Sequence, residues 1–170
     1  MKITFKLIIM NLFKKNLAKQ KNIIFIAEIG INHEGSLKKA KNLIELAKKA
    51  GADAVKFQSF TLEKYCSTDE VERYKRLKKF SLTEKEFYDL YKFSKKIGIN
   101  FFSTAVTEDY VKKLAKYSEV VKVASGDMSF TPVIEQIINS KVKAIISTGM
   151  HNFNEVKNLL SFIVKRKGKK

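Results

Sequence analysis

A chain of 170 residues with 45% apolar and 30% charged side chains is long enough for one hydrophobic core and has the balance of a soluble globular protein. Its one cysteine, Cys66, excludes a disulfide framework and a cysteine-cluster zinc site, and it fits a reducing cytoplasm. The net charge of +17 suggests nucleic acid, but only three of 34 cations are arginine, the usual base reader and phosphate fork, so a small anionic substrate is the better expectation.

Residues 1–21 form a basic N-terminal extension with six lysines and no acid, and residues 161–170 a lysine-rich tail with five cations, which leaves +6 on residues 22–160. Leu7-Ile8-Ile9-Met10 lies between lysines, lacks a small-residue cleavage site and is far too short to span a bilayer. It reads as an amphipathic leader or as a start upstream of Met10, and no membrane partner is expected. Ile23 to Ala27 is a continuous apolar run, the pattern of a strand buried on both faces. Ser36 caps a helix with Leu37, Ala40, Leu43, Ile44 and Ala47 on one side, and Gly51 ends it. Ala52 to Val55 leads a second strand into Lys56-Phe57-Gln58-Ser59.

Residues 60–80 read as a polar excursion without a regular strand, of the length usual for functional or mobile loops. Thr83 and Glu86 make a capping box for a helix closed by Gly98. The third strand, Ile99 to Ser103, ends in Ser103-Thr104, and Thr107-Glu108-Asp109 opens the next helix. Val120 to Ala124 is the fourth strand, followed by Ser125-Gly126-Asp127 and a helix entered through Pro132. Lys143 to Ile146 is the fifth, followed by Ser147-Thr148-Gly149-Met150 and a helix boxed by Asn152 and Glu155.

Five strand–helix units predict an α/β parallel sheet with helices outside, either an open doubly wound sheet or part of an eight-fold barrel. In both, sites lie at the carboxyl ends of strands, where each polar cluster of this chain falls. Glu28, Asn32 and His33 end the first strand, as a pocket or as a loop satisfying its own backbone. Lys56 and Gln58 share one side of their strand by its period of two, and Lys122 repeats the pattern in Val-Val-Lys-Val-Ala. Lysines inside apolar strands need an anionic partner, so Lys56 and Lys122 form a phosphate or carboxylate site unless they reach solvent at an edge. Ser103, Thr104, Ser125 and Ser147 add hydroxyls near helix starts. Cys66 has no nearby histidine to activate it, and His151 belongs to a helix entry.

Ala27-Glu28-Ile29-Gly30-Ile31-Asn32-His33, Ala50 to Gln58, Phe102-Ser103-Thr104, Lys122 to Asp127 and Ser147-Thr148-Gly149-Met150 together resemble the sialic acid synthase family. The resemblance covers about residues 22–160 and implies the first five units of a (β/α)8 TIM barrel. It implies condensation of phosphoenolpyruvate with N-acetylmannosamine or a related amino sugar, giving a nine-carbon sialic acid and phosphate. Lys56, Ser103, Thr104, Lys122, Ser125 and Ser147 would bind phosphoenolpyruvate, and Glu28 would be the catalytic group. Asn32, His33 and Gln58 would bind or position the sugar.

The family uses a divalent metal, Mn2+ or Mg2+, which polarises the sugar aldehyde. Its histidine ligands lie on strands beyond the fifth, so no metal residue is assigned here. Ala105-Val106 replaces the family's usual Pro-Phe. A five-unit piece leaves two sheet edges, expected to pair in a homodimer or with a complementing C-terminal half. The alternative is a truncated, non-catalytic remnant or subunit that binds an anion.

Overall fold

The computed structural model of the chain describes residues 11–12, 15–16 and 23–167. The expectations for the N-terminal extension fall almost wholly outside the described residues. Five strands, β1 (Ile26–Gly30), β2 (Ala54–Ser59), β3 (Asn100–Ala105), β4 (Val120–Val123) and β5 (Lys143–Ile146), form one parallel sheet in the order β1-β2-β3-β4-β5. Sequential order decides between the two architectures, because a doubly wound sheet reverses direction at a switch point. It is the order of successive barrel strands. A separate two-residue ladder joins Asn11–Leu12 to Lys15–Asn16.

The helices form as their caps dictate. In α1 (Leu37–Lys49) the Ser36 hydroxyl accepts from the Lys39 N–H. The capping box of α4 (Glu84–Ile97) is complete, and Gly98 ends the helix in the left-handed conformation. The helices α5 (Glu108–Ala115), α6 (Thr131–Ser140) and α7 (Phe153–Lys167) follow β3, β4 and β5. The α7 helix runs through the expected boundary at residue 160. Its entry is closed by Asn152 N–H on Glu155 at 2.7 Å and Glu155 N–H on Asn152 at 3.1 Å.

Strand alternation sorts the core. Val55, Phe57, Phe101, Val121 and Val123 face the helices and pack on Ala40, Ile44, Leu90, Val111 and Ile134. On the concave face Ala54, Phe102 and Val120 form a smaller apolar floor with Ile24 and Ile145. Phe57 is fully buried and its ring meets those of Phe101 and Phe87.

Two expectations are corrected here. The first strand begins at Ile26 and lies at a sheet edge with one neighbour, so Ile23 and Phe25 remain 65% and 63% exposed rather than doubly buried. The excursion at 60–80 is helical, as α2 (Leu62–Tyr65) and α3 (Val71–Phe80). Phe60, Leu62, Cys66 and Leu77 bury against Ile31, Tyr74 and Val106, so a third apolar cluster holds both helices on the strand-end loops. At the other end β5 is likewise an edge strand with one neighbour, and α7 beside it exposes Phe153, Leu160 and Val164. No helix among the described residues is long and apolar enough to cross a membrane.

A polar network ties this excursion to α5. The Thr61 hydroxyl and the Lys113 ammonium donate to Asp109 Oδ2 at 2.6 and 2.8 Å, and the Thr61 N–H donates to Thr107 Oγ1 at 3.1 Å. Burial opposes the Asp109 charge, but hydrogen bonds from Lys113, Thr61 and Thr107 prevail and hold its pKa at about 2. A carboxylate held below its unfolded value stabilises the fold above that value and loses the contribution as pH falls through the folded one. Asp109 should therefore contribute on the order of 2 kcal/mol at neutral pH, lost between about pH 4 and pH 2. Urea unfolding of wild type and Asp109→Asn should differ at neutral pH and converge in acid. Equal stabilities at neutral pH would contradict the network.

Candidate functional site

The polar residues converge at the carboxyl ends of the strands, on the concave face. Register places Glu28 beside Lys56 on β1 and β2, and Lys56, Gln58, Thr104 and Lys122 on one side of β2, β3 and β4. The Lys56 ammonium lies 2.6 Å from Glu28 Oε2 and donates to Thr104 Oγ1 at 3.0 Å. Its side chain is 13% exposed, against 56% for Glu28. A lysine this covered is costly to bury without such partners.

Lys122 is directly opposite Thr104, and its ammonium donates to the Val123 carbonyl. Burial pushes the Lys122 pKa down, and the Lys56 charge pushes it further, against the pull of Glu28 and Asp127. Asp127 is raised by burial, while Lys122 acts to lower it. The mutual influence of Lys56, Lys122, Glu28 and Asp127 marks one electrostatic unit. Asp127 was missed as a site residue, although an acid one turn past a strand end was a visible signal.

Other residues sort less simply. Gln58 is exposed at the mouth, where its Oε1 and Glu28 Oε1 lie 3.9 and 3.6 Å from the position a Cβ would take on Gly30. Ser125 opens a 3-10 turn at the end of β4 and abuts Gly149. Ser147 continues β5, its N–H donating to the Val123 carbonyl at 3.1 Å, so both hydroxyls stand at neighbouring strand ends. Asn32 is exposed in the turn after β1.

Ser103 and His33 lie elsewhere. Ser103 is fully buried on the helix-facing side, level with Phe57 and Val121, and its hydroxyl is bonded to that of Ser59. Thr104, one residue on, reaches the lysines instead. His33 is 1% exposed, with its ring centroid 5.8 Å from that of Phe57. Its Nδ1 accepts from the Gly35 N–H at 3.1 Å, which puts the ring proton on Nε2. Burial lowers its pKa, Glu86 raises it and Lys39 lowers it. His33 is thus buried beside Phe57 and away from Lys56 and Lys122, with its Nε2 left without a hydrogen-bond partner among the described residues.

Among the described residues, no three His, Cys, Asp or Glu side chains form a metal-binding group. Glu28 is paired with Lys56, Asp127 lies in the field of Lys122, and His33 is turned inward. These residues do not fit a divalent cation. Two ammonium groups, a hydroxyl and a carboxylate do fit a small multivalent anion with an acid–base group beside it.

Known proteins resemble this chain in sequence and in fold. A protein of Methanocaldococcus jannaschii of uncharacterised function is 42% identical over 132 residues, covering 77% of this chain and 39% of its own. The N,N'-diacetyllegionaminic acid synthase of Legionella pneumophila is 37% identical over 146 residues, covering 78% of this chain and 41% of its own. The crystal structure of N-acetylneuraminic acid (sialic acid) synthetase from Leptospira borgpetersenii, in complex with citrate, superposes with a TM-score of 0.79 at 32% identity. That match covers 86% of this chain and 52% of the other. The chain thus spans about half the length, or less, of the relatives it matches, and its five-stranded sheet is part of a barrel. The NeuB family model matches residues 43–170, which hold both lysines and every strand but the first. With sequence, fold and strand-end chemistry in agreement, the chain belongs to the NeuB family of sugar-acid synthases.

Proposed function

We propose that this chain forms the phosphoenolpyruvate side of a synthase site for a nine-carbon sugar acid. The observation that carries the reading is the convergence of Lys56, Lys122, Thr104 and Glu28 on one face of four adjacent strands. Lys56, Lys122 and Thr104 hold the phosphate and carboxylate, with Ser125 and Ser147 supplying hydroxyls from the next strand ends. The enol carbon of phosphoenolpyruvate attacks the aldehyde carbon of N-acetylmannosamine or a related amino sugar, forming the carbon–carbon bond. Water adds to the resulting oxocarbenium carbon, and the intermediate collapses with C–O cleavage to release phosphate. Glu28 stands at the mouth, placed to accept the proton of that water or to stabilise the cation. Asn32 and Gln58 lie on the exposed side, toward the sugar.

Two names support this reading. One relative is a legionaminic acid synthase, and the Leptospira synthetase holds citrate, itself a multivalent carboxylate. The bare edges at β1 and β5 fit further β/α units, and a complementing C-terminal half suits a parallel sheet better than a homodimer of five-stranded pieces. A non-catalytic, anion-binding chain is the second reading, since Lys56, Thr104 and Lys122 lie together on one face and can hold an anion by themselves.

Purified chain incubated with phosphoenolpyruvate, N-acetylmannosamine and Mn2+, with and without residues C-terminal to the matched region of the Legionella synthase, tests both. Phosphate release in step with sugar-acid formation is the expected result. Phosphoenolpyruvate binding without release under either condition leaves the binding role alone, and no binding removes both readings.

A further inference from the structure

We propose that Glu28 is a resident counter-ion, which competes with the anionic ligand for Lys56 and so sets the anion affinity of the site. The inference rests on the reading of Lys56 and Lys122 as an anion seat. It gives Glu28 a role in binding, separate from proton transfer.

The geometry places Glu28 on the ammonium that a ligand needs. Its Oε2 is 2.6 Å from Lys56 Nζ, the distance of a strong charge-assisted hydrogen bond. Lys56 is the more covered of the pair and also donates to Thr104, so it is fixed from two sides. Glu28 is more than half exposed, on an edge strand, at a register irregularity between Glu28 and Gly30. Of the two partners, only the carboxylate is free to swing away. A phosphate bound to the same ammonium would stand within a few ångströms of the carboxylate, and like charges so close repel strongly in a partly desolvated site.

The surrounding charges sharpen the competition. Lys122 and Asp127 lie close enough to feel each other's charge, so the unit holds two ammonium groups and two carboxylates, of which Lys56 and Glu28 are in direct contact. A weak monoanion gains little from such a balanced cluster. A ligand with a phosphate, or with several carboxylates, engages both lysines and displaces Glu28. The displaced carboxylate can turn outward to solvent, since Glu28 is already more than half exposed.

Isothermal titration of the whole chain with inorganic phosphate and with phosphoenolpyruvate tests the proposal. Glu28→Gln keeps the shape and removes the charge, and Glu28→Ala removes the side chain. Both should bind each anion at least fivefold more tightly than wild type, while Lys56→Met binds each far more weakly. Thermal melts confirm folding of each variant, and the exposure of Glu28 favours it. If wild type binds and neither Glu28 variant binds more tightly, Glu28 is no competitor and the anion seat itself stands. If no form binds either anion, the seat and the competition fall together.

Discussion

Replacing Gly35 by alanine should cost about 4 kcal/mol, a large fraction of the stability of a domain whose total is of order 5–15 kcal/mol. Two causes combine. The backbone of Gly35 has φ +77°, where an L side chain is strained by roughly 1–2 kcal/mol. A Cβ built there would also lie 2.0 Å from the Lys79 carbonyl oxygen and 3.2 Å from its carbon. These are backbone atoms of the last turn of α3, so no rotamer change relieves the clash. Either α3 lifts, pulling Leu77 from the third apolar cluster, or the loop after β1 shifts and loses the Gly35 hydrogen bond to His33. Gly51 supplies the control: its φ is +86°, but no atom lies within 4 Å of a Cβ there. Gly51→Ala should therefore cost about 1 kcal/mol from strain alone. Urea unfolding of the two variants separates clash from strain. Equal losses would mean that α3 does not pack on this loop.

That contact also shows why part of the fold was hidden in the sequence. Each of the five strands was legible because apolar runs of strand length alternate with capped helices, and Ser36, Thr83 and Asn152 cap as their spacing implied. The α3 helix was not, since Val71, Tyr74 and Leu77 are isolated among charged residues and its stability comes from packing on distant loops. Strand order was not legible from periodicity, which left a barrel and a doubly wound sheet both open; the family resemblance pointed to the barrel, and the sequential order β1-β2-β3-β4-β5 agrees.

The site was legible to the degree that period-two alternation is local. Lys56 and Gln58 were placed on one side of β2 correctly, but which of Ser103 and Thr104 joins them depends on register between strands. The structure pairs Thr104 with Gln58 and Lys122 and turns Ser103 to the helices. The burial of His33 was hidden for another reason. A polar residue after a buried strand resembles a ligand group, yet one hydrogen bond from Gly35 lets a neutral imidazole stay in the core beside Phe57.

Lys56→Met should lower phosphoenolpyruvate affinity at least about 100-fold, close to 2.7 kcal/mol. The loss has two parts. The ammonium that faces both Glu28 and Thr104 disappears, and a hydrogen bond to a charged group is commonly worth about 1.5–3 kcal/mol. Glu28 is then left without its counter-charge beside the seat and repels the ligand.

The same substitution should change the pH dependence in a direction that a purely structural role would not. In wild type, burial and then the charge of Lys56 hold Lys122 below the ordinary lysine pKa of 10.5. Anion binding needs the charged form, so affinity should decline with rising pH before an ordinary lysine would titrate. Without Lys56 one of those pressures is gone, and the residual binding of Lys56→Met should persist to higher pH than that of wild type. Titrations of phosphoenolpyruvate between about pH 7 and pH 10 measure both effects. Unchanged affinity in the variant, or a decline at the same pH in both proteins, would show that the two lysines do not share one anion.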